Sequence, residues 1–225
     1  RGATLQHLRV ATPAPDDQLA HHVHVKLDAD ARYHQALLAS GCHYHLQRNV
    51  FELQGARAAV HSAAVLFAAG NTLEQQVRTR HDAPQTRSKV EALALAEGKA
   101  HAVINAHTLI AAGADEADVR QRLNGIPTGG QPQIVLRPHL EIHHDQVQAA
   151  HGATWGALDE EALFYASQRG MAPPLARALV VEGMARAVLL RNLERPELMD
   201  SLGIDSLLAH QVQRHLASAA EIAHG

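Results

Sequence analysis

The chain has 225 residues, 46% of them apolar, which is enough for one sizeable core with room for a helical annex. Its formal net charge of −3, with no cluster of lysine and arginine, argues against a nucleic-acid surface. No apolar run approaches the roughly 18 residues of a membrane span. Cys42 is the only cysteine, so no disulfide can form within the chain, as suits a reducing cytoplasm. There are 18 histidines, while aromatic residues make up only 3%, too few for the ring platforms that sugar sites tend to use. The chain begins at Arg1 and not at Met, which points to a fragment of a longer protein.

The first part reads as short alternating or β-branched runs: Thr4–Val10, His21–Leu27, Tyr33–Leu38, His43–Phe51, Ala58–Leu66, Leu73–Thr79, Lys89–Leu95 and Lys99–Asn105. Polar, glycine and proline stretches separate them, among them Pro13 to Asp17, Asp28 to Asp30, Gly70–Asn71, Ala83–Pro84 and Gly98. Strand-plus-turn units recur about every ten residues, and His45, His61, His81 and His101 fall at intervals of about 16 to 20. Such units with few hairpin turns predict a parallel β-solenoid. An antiparallel sandwich is the competing arrangement. Against it, no Asn-Gly or Asp-Gly hairpin signal lies between strand candidates, since Asn124–Gly125 falls in a loop-like stretch.

Residues Ala112 to Val119 break the β rhythm and read as a long loop or a weak helical turn. Gln131 to Leu136 resumes as a strand, and Leu140–Ile142 begins the last β passage. His151 then sits at a β-to-α junction among Ala149, Ala150, Gly152 and Ala153. Asp159 is the expected N-cap of the next helix, Glu160 and Glu161 charge its first turn, Leu158 and Leu163 form a hydrophobic staple, and Gly170 stops it. Pro174 opens a second helix striped by Leu175, Leu179, Val181, Met184, Val188 and Leu189. A further helical stretch runs from Pro196 to Ala223, interrupted near Gly203. The boundaries expected are a β core over 1–155 and a helical segment over 156–225. Helices at the solenoid's terminus would make a docking surface.

Several motifs have a plain structural explanation beside the chemical one. The pairs His22/His24 and His43/His45 could each offer two imidazoles to one ion, yet nothing resembles a spaced Cys/His framework, and a solvated strand face explains them, as it does His143–His144. Glu141 and Asp145 could serve acid–base chemistry of a β-helix polysaccharide enzyme, but no recurring Asp, Lys and Arg cluster supports it, so they read as turn and edge residues. Gly98–Lys99 is not a phosphate loop, because Leu93 stands where the earlier glycine belongs and Ala100 where Ser or Thr would bind magnesium. The word Leu202–Gly203–Ile204–Asp205–Ser206–Leu207 is similar to a carrier-protein attachment site, but Asp205 as a helix cap explains the same letters.

The residues Leu140–Glu141–Ile142, Asp145, Val147, His151–Gly152–Ala153–Thr154, Gly156, Leu158 through Tyr165 and Arg169–Gly170 together resemble the SufB/SufD family of iron–sulfur cluster assembly proteins, SufD more than SufB. Weaker similarity reaches upstream through His81-Asp82-Ala83-Pro84, Arg48–Asn49 and the His21–His22 strand. The resemblance implies a right-handed parallel β-helix followed by a C-terminal helical segment, in a scaffold subunit with no turnover of its own. It implies pairing with a SufB-like homologue and docking of the SufC-like ABC ATPase through the helices, with a homodimer left open in isolation. His151 is then the expected cluster ligand, shared with a cysteine of the partner, and Asp159, Phe164, Tyr165, Arg169, Leu175 and Leu179 the expected partner-binding residues. The iron–sulfur cluster would be transient, and the isolated chain would hold none.

Ala149 stands where many relatives have a cysteine, which leaves His151 as the donor on this side. Three features of the sequence agree. One cysteine cannot supply the about four ligands of a cluster. A chain without a phosphate loop needs a partner to use ATP. Imidazole is a competent iron ligand where thiolates are scarce. A polysaccharide-active enzyme and a histidine-rich metal-binding module are the competing functions.

Overall fold

A computed structural model describes residues 1–222, eleven strands followed by four helices. The strands are β1 (Thr4–Ala11), β2 (Gln18–Leu27), β3 (Arg32–Ser40), β4 (Tyr44–Leu53), β5 (Ala59–Ala69), β6 (Thr72–His81), β7 (Arg87–Gly98), β8 (His101–Ile110), β9 (Asp118–Gly130), β10 (Gln133–Ile142) and β11 (Gln148–Trp155). The helices are α1 (Glu160–Gln168), α2 (Pro173–Leu190), α3 (Glu197–Ser201) and α4 (Ile204–Ile222). The expected helix end at Ala223 lies outside the described residues.

Odd-numbered strands form one sheet in the order β1-β3-β5-β7-β9-β11, and even-numbered strands the other, β2-β4-β6-β8-β10. Neighbours within each sheet run parallel, so the chain is a β-solenoid of five full coils closed by β11. Thr4 pairs with Arg32, Arg32 with Ala59, Ala59 with Arg87, and Arg87 with Asp118. The repeat is therefore a coil of about 28 residues holding two strands, and the ten-residue unit is a single strand. The histidine spacing follows neither. His45 and His81 lie in the even sheet and His61 in the odd one.

Each coil closes through the same corner. Asp30, Arg57, Gln85 and Glu116 all take left-handed backbone conformations, with φ between 56° and 62°, two residues ahead of an odd-sheet strand. Their N–H groups donate to Ala56, Pro84, Asp115 and Gln146 carbonyls of the following coil at 2.6–3.1 Å. Side chains reinforce this column: Arg57 grips both carboxylate oxygens of Asp30 at 2.7 and 2.9 Å, and Gln85 donates to Glu116 at 2.9 Å. At another corner Gly98 and Gly130 stack so closely that a Cβ on Gly130 would lie 2.7 Å from Gly98 Cα. Both have positive φ, which only glycine adopts without strain.

Inside the coils, Leu37, Phe51, Leu53, Leu66, Leu73, Ala94, Ile104 and Leu123 fill the space between the sheets. The outer faces differ. On the odd sheet, Leu38, Val65, Phe67, Leu93 and Leu95 pack under Val181, Ala185, Val188 and Leu189 of α2 and Leu208 and Val212 of α4. Among the described residues no helix packs on the even sheet, and its strands alternate buried and open positions, as in β6.

Five expectations are corrected here. The helices lie along the flank of the odd sheet, mainly on β5 and β7, and not at the solenoid's terminus, because β5 and β7 are apolar on both faces and demand a cover. The stretch after Ala112 forms only a short turn before β9, and Asn124–Gly125 lies inside that strand, held by β7 on one side and β11 on the other. The separate runs expected at Gln131 to Leu136 and Leu140–Ile142 join into one strand, β10, which starts only at Gln133 and tolerates Pro138 because it is the last strand of its sheet. His151 lies within β11, ahead of the β-to-α turn. No helix among the described residues is long and apolar enough to cross a membrane.

Candidate functional site

β11 is the last strand of the odd sheet. It pairs with β9 along one edge, and its other edge has no strand beside it among the described residues. Such an edge presents unpaired N–H and C=O groups, which favour the addition of another strand. His151 pairs in register with Gln121, one position along the same row as Ala149 and Ala153, both of which pack toward the solenoid interior. In an inner coil this row is sealed; His151 is exposed because no coil follows. Its neighbour Gln121 is buried and donates to Thr108 Oγ1 at 2.8 Å and to the His139 carbonyl at 3.3 Å. Gly152 leaves open space beside the imidazole, where a Cβ would meet nothing within 4 Å. Trp155 closes the strand, 62% exposed, with its indole N–H 3.4 Å from the Ile134 carbonyl.

His151 also borders a groove of about 870 Å³ lined by Lys89, Glu91, Arg120, Arg122, Asn124 and Arg191. The groove is cationic, and its one carboxylate is committed. Glu91 is buried, which by itself would raise its carboxyl, but hydrogen bonds from Arg191 and from Asn192 (3.0 Å) bring it below the usual range. It is not the carboxylate-lined groove expected of a polysaccharide enzyme. Cys42 is buried in the corner after β3, its thiol donating to the Tyr44 carbonyl at 3.2 Å. Four strand spacings separate β3 from β11, about 19 Å, so Cys42 and His151 cannot share one ion.

The remaining expected residues lie on the helices. Asp159 caps α1, its Oδ1 accepting from the Ala162 N–H at 3.0 Å. Gly170 and Met171 close the other end, donating to Ser167 and Ala166 carbonyls at 3.0 and 3.2 Å with Gly170 at φ 76°. None of the α1 residues is buried. Phe164 is 66% and Tyr165 58% exposed, and the Arg169 guanidinium covers the Tyr165 ring at 4.5 Å. Pro173 and Pro174 both fit the first turn of α2, and Leu175 and Leu179 point away from its packed face, also exposed. The stripe expected on α2 is thus split: Val181, Val188 and Leu189 meet the sheet, while Leu175 and Leu179 face outward.

The other motifs resolve simply. His45 is buried, with Nδ1 2.6 Å from the Ser40 carbonyl, so it cannot act with His43; His22 and His24 stack with ring centroids 6.3 Å apart on an exposed strand. Asp205 does not cap α4; its carboxylate takes two bonds from Arg186 of α2 at 2.9 and 3.2 Å, tying the helices together, and Ser206 is exposed in the first turn. Glu141 is the penultimate residue of β10, where it meets His143 at 2.8 Å and His107 at 3.4 Å, while Asp145 lies in the bend beyond. The grouping of Glu141 with His107 and His139 was not expected. The alternation His139, Glu141, His143 is its one signal in the sequence.

A family model for the SUF system FeS cluster assembly SufBD core domain matches residues 1–184. The iron–sulfur cluster assembly protein SufD of Escherichia coli is 28% identical over 212 residues, an alignment covering 86% of this chain and 49% of that protein. A SufBD family protein of Mycobacterium bovis is 29% identical over 195 residues, covering 81% and 48% respectively. The chain spans about half the length of these relatives. With a parallel solenoid, a helical tail and a match over most of its residues, it belongs to the SufB/SufD family of iron–sulfur cluster assembly proteins and is SufD-like within it.

Proposed function

We propose that this chain is one half of a cluster-assembly scaffold, in which the open edge of β11 pairs with a cysteine-bearing SufB-like homologue and His151 supplies an imidazole to the iron–sulfur cargo. The observation that carries this reading is an exposed histidine on an inward row of the last strand, whose outer edge has no strand beside it among the described residues. A partner strand laid along β11 would satisfy its backbone and seal the row around the imidazole. Ala149 offers no thiolate and Cys42 is buried a long way off, so the partner supplies sulfur ligands while His151 supplies nitrogen. The isolated chain holds no cluster in this scheme, turns over no substrate, and works in a reducing cytoplasm.

The helices are the second contact surface. A nine-residue helix with no buried residue is too short to be stable alone, and α1 displays Phe164 and Tyr165 beside exposed Leu175 and Leu179 of α2. This apolar face suits a SufC-like ABC ATPase, which brings the phosphate loop that this chain lacks. α2 is seated on β5 and β7, and its Arg177 bonds to the Thr128 carbonyl of β9, the strand that holds β11. A stroke on α2 would therefore reach the paired edge through β9 and open it for cluster exchange.

The test is the complete complex, co-expressed and purified, carrying His151→Ala. Cluster formation should fall at least about tenfold while subunit association persists, as for loss of a metal ligand. Full cluster formation by an intact variant complex would overturn the ligand role. Recovery of a homodimer alone, with no homologue or ATPase bound, would overturn the partner assignments.

A further inference from the structure

The bare outer face of the even sheet holds a second donor cluster, away from β11. His107 of β8 lies directly beside His139 of β10 in the ladder, and Glu141 follows two residues later on the same face. The two imidazole rings are 4.8 Å apart at their centroids. One donor atom from each of the three residues lies within 4.8 Å of the other two. Glu141 is oriented from both sides, with Oε2 3.4 Å from His107 Nε2 and Oε1 2.8 Å from His143 Nε2.

We propose that His107, His139 and Glu141 form a binding site for one divalent first-row transition metal ion, with His143 steadying the carboxylate. Two imidazoles and one carboxylate are a donor set that zinc-type ions accept, with a fourth position left for water. Ligands about 2.0–2.2 Å from a common ion must lie closer together than they do here. His139 and Glu141 are exposed and can swing in, while the strand ladder fixes where their backbones start. The neighbouring cations matter for selectivity. Arg78 of β6 stands beside His107 in the ladder, and Arg137 precedes His139 by two positions on the same face. With one carboxylate against two guanidinium groups, calcium or magnesium gains too few oxygen ligands, whereas an ion that favours nitrogen gains two imidazoles. The site does not depend on the scaffold role or on His151.

The experiment is a zinc titration of the full-length protein, free of any polyhistidine tag, by calorimetry and by competition with a chromogenic chelator. One equivalent should bind, and calcium at the same concentration should give no heat. His139→Ala should weaken this site at least about a hundredfold and Glu141→Gln about tenfold, with a smaller loss for His143→Gln. His151→Ala and the double variant His22→Ala/His24→Ala should bind as the parent does. His139 and Glu141 sit on the exposed face, so circular dichroism should show both variants folded. Stoichiometric zinc binding that survives in the folded His139→Ala and Glu141→Gln proteins would overturn the proposal. So would its absence from the folded parent.

Discussion

The odd and even sheets have strands of similar length and the same parallel pairing, yet they are put to different uses. In the odd sheet, β5 and β7 bury nearly every residue, because the solenoid interior claims one face and α2 with α4 claims the other. In the even sheet, β6 buries every second residue and leaves Glu74, Gln76, Arg78 and Arg80 outside the core. The same backbone ladder thus supports a packed flank on one side and an open, charged face on the other. Burial on two faces makes a strand intolerant of change; burial on one leaves a surface free to acquire chemistry.

The largest test of this contrast is a pair of alanine substitutions. Leu95→Ala, under the helices, should cost about 2–5 kcal/mol in urea unfolding, since a fully buried leucine leaves a cavity. Arg78→Ala on the even sheet's outer face should stay within about 0.5 kcal/mol. A similar cost at both sites would end the distinction.

Acid probes the interior that both sheets share. Burial pushes His81 down to about 4 from an ordinary 6.5, and its two ring nitrogens lie 2.8 Å from Thr86 Oγ1 and 2.9 Å from Ser88 Oγ. The fold holds the ring neutral, so the unfolded chain takes up the proton first as pH falls through about 6.5. Stability should be level above that pH and decline toward pH 4, by as much as roughly 3 kcal/mol from this residue. Urea midpoints between pH 7.5 and 4.5 measure the slope, which His81→Asn should flatten.

A smaller effect separates the packed helices from the bare one. Asp159→Ala should remove about 1 kcal/mol from α1. Because α1 buries no residue, the loss should appear as faster amide exchange confined to residues 160–168, with almost no change in the global midpoint. A large global shift would mean that α1 is part of the core.

Much of the odd sheet was legible because its strands are apolar runs. Ser62 through Ala69 and Val90 through Ala96 announce themselves, and the alternation in β6 is as clear. β9 was not legible. Asn124–Gly125, Pro127 and Gly129–Gly130 are turn letters, and the strand exists because β7 and β11 clamp it from both sides. Pro127 is tolerated because β11 ends opposite Gly125, leaving it unpaired on that side. The helix signals after His151 marked the end of the β passage in the sequence, but the open edge of β11 was not legible, since it depends on which strand pairs with which. The trio of His107, His139 and Glu141 was hidden for another reason. Its members come together only once the register of β8 against β10 is known, and no local pattern carries that.

The corner column at Asp30, Arg57, Gln85 and Glu116 has a consequence for how such a chain can vary. Each of these residues resets the phase of the winding by bonding to the next turn of the stack, whatever length of chain lies between. Segments at the opposite side can then lengthen, as the last coils have, without sliding one layer past another. An insertion placed between β9 and β10 should be absorbed as a surface loop, whereas one placed beside Arg57 would shift the indexing of every layer that follows.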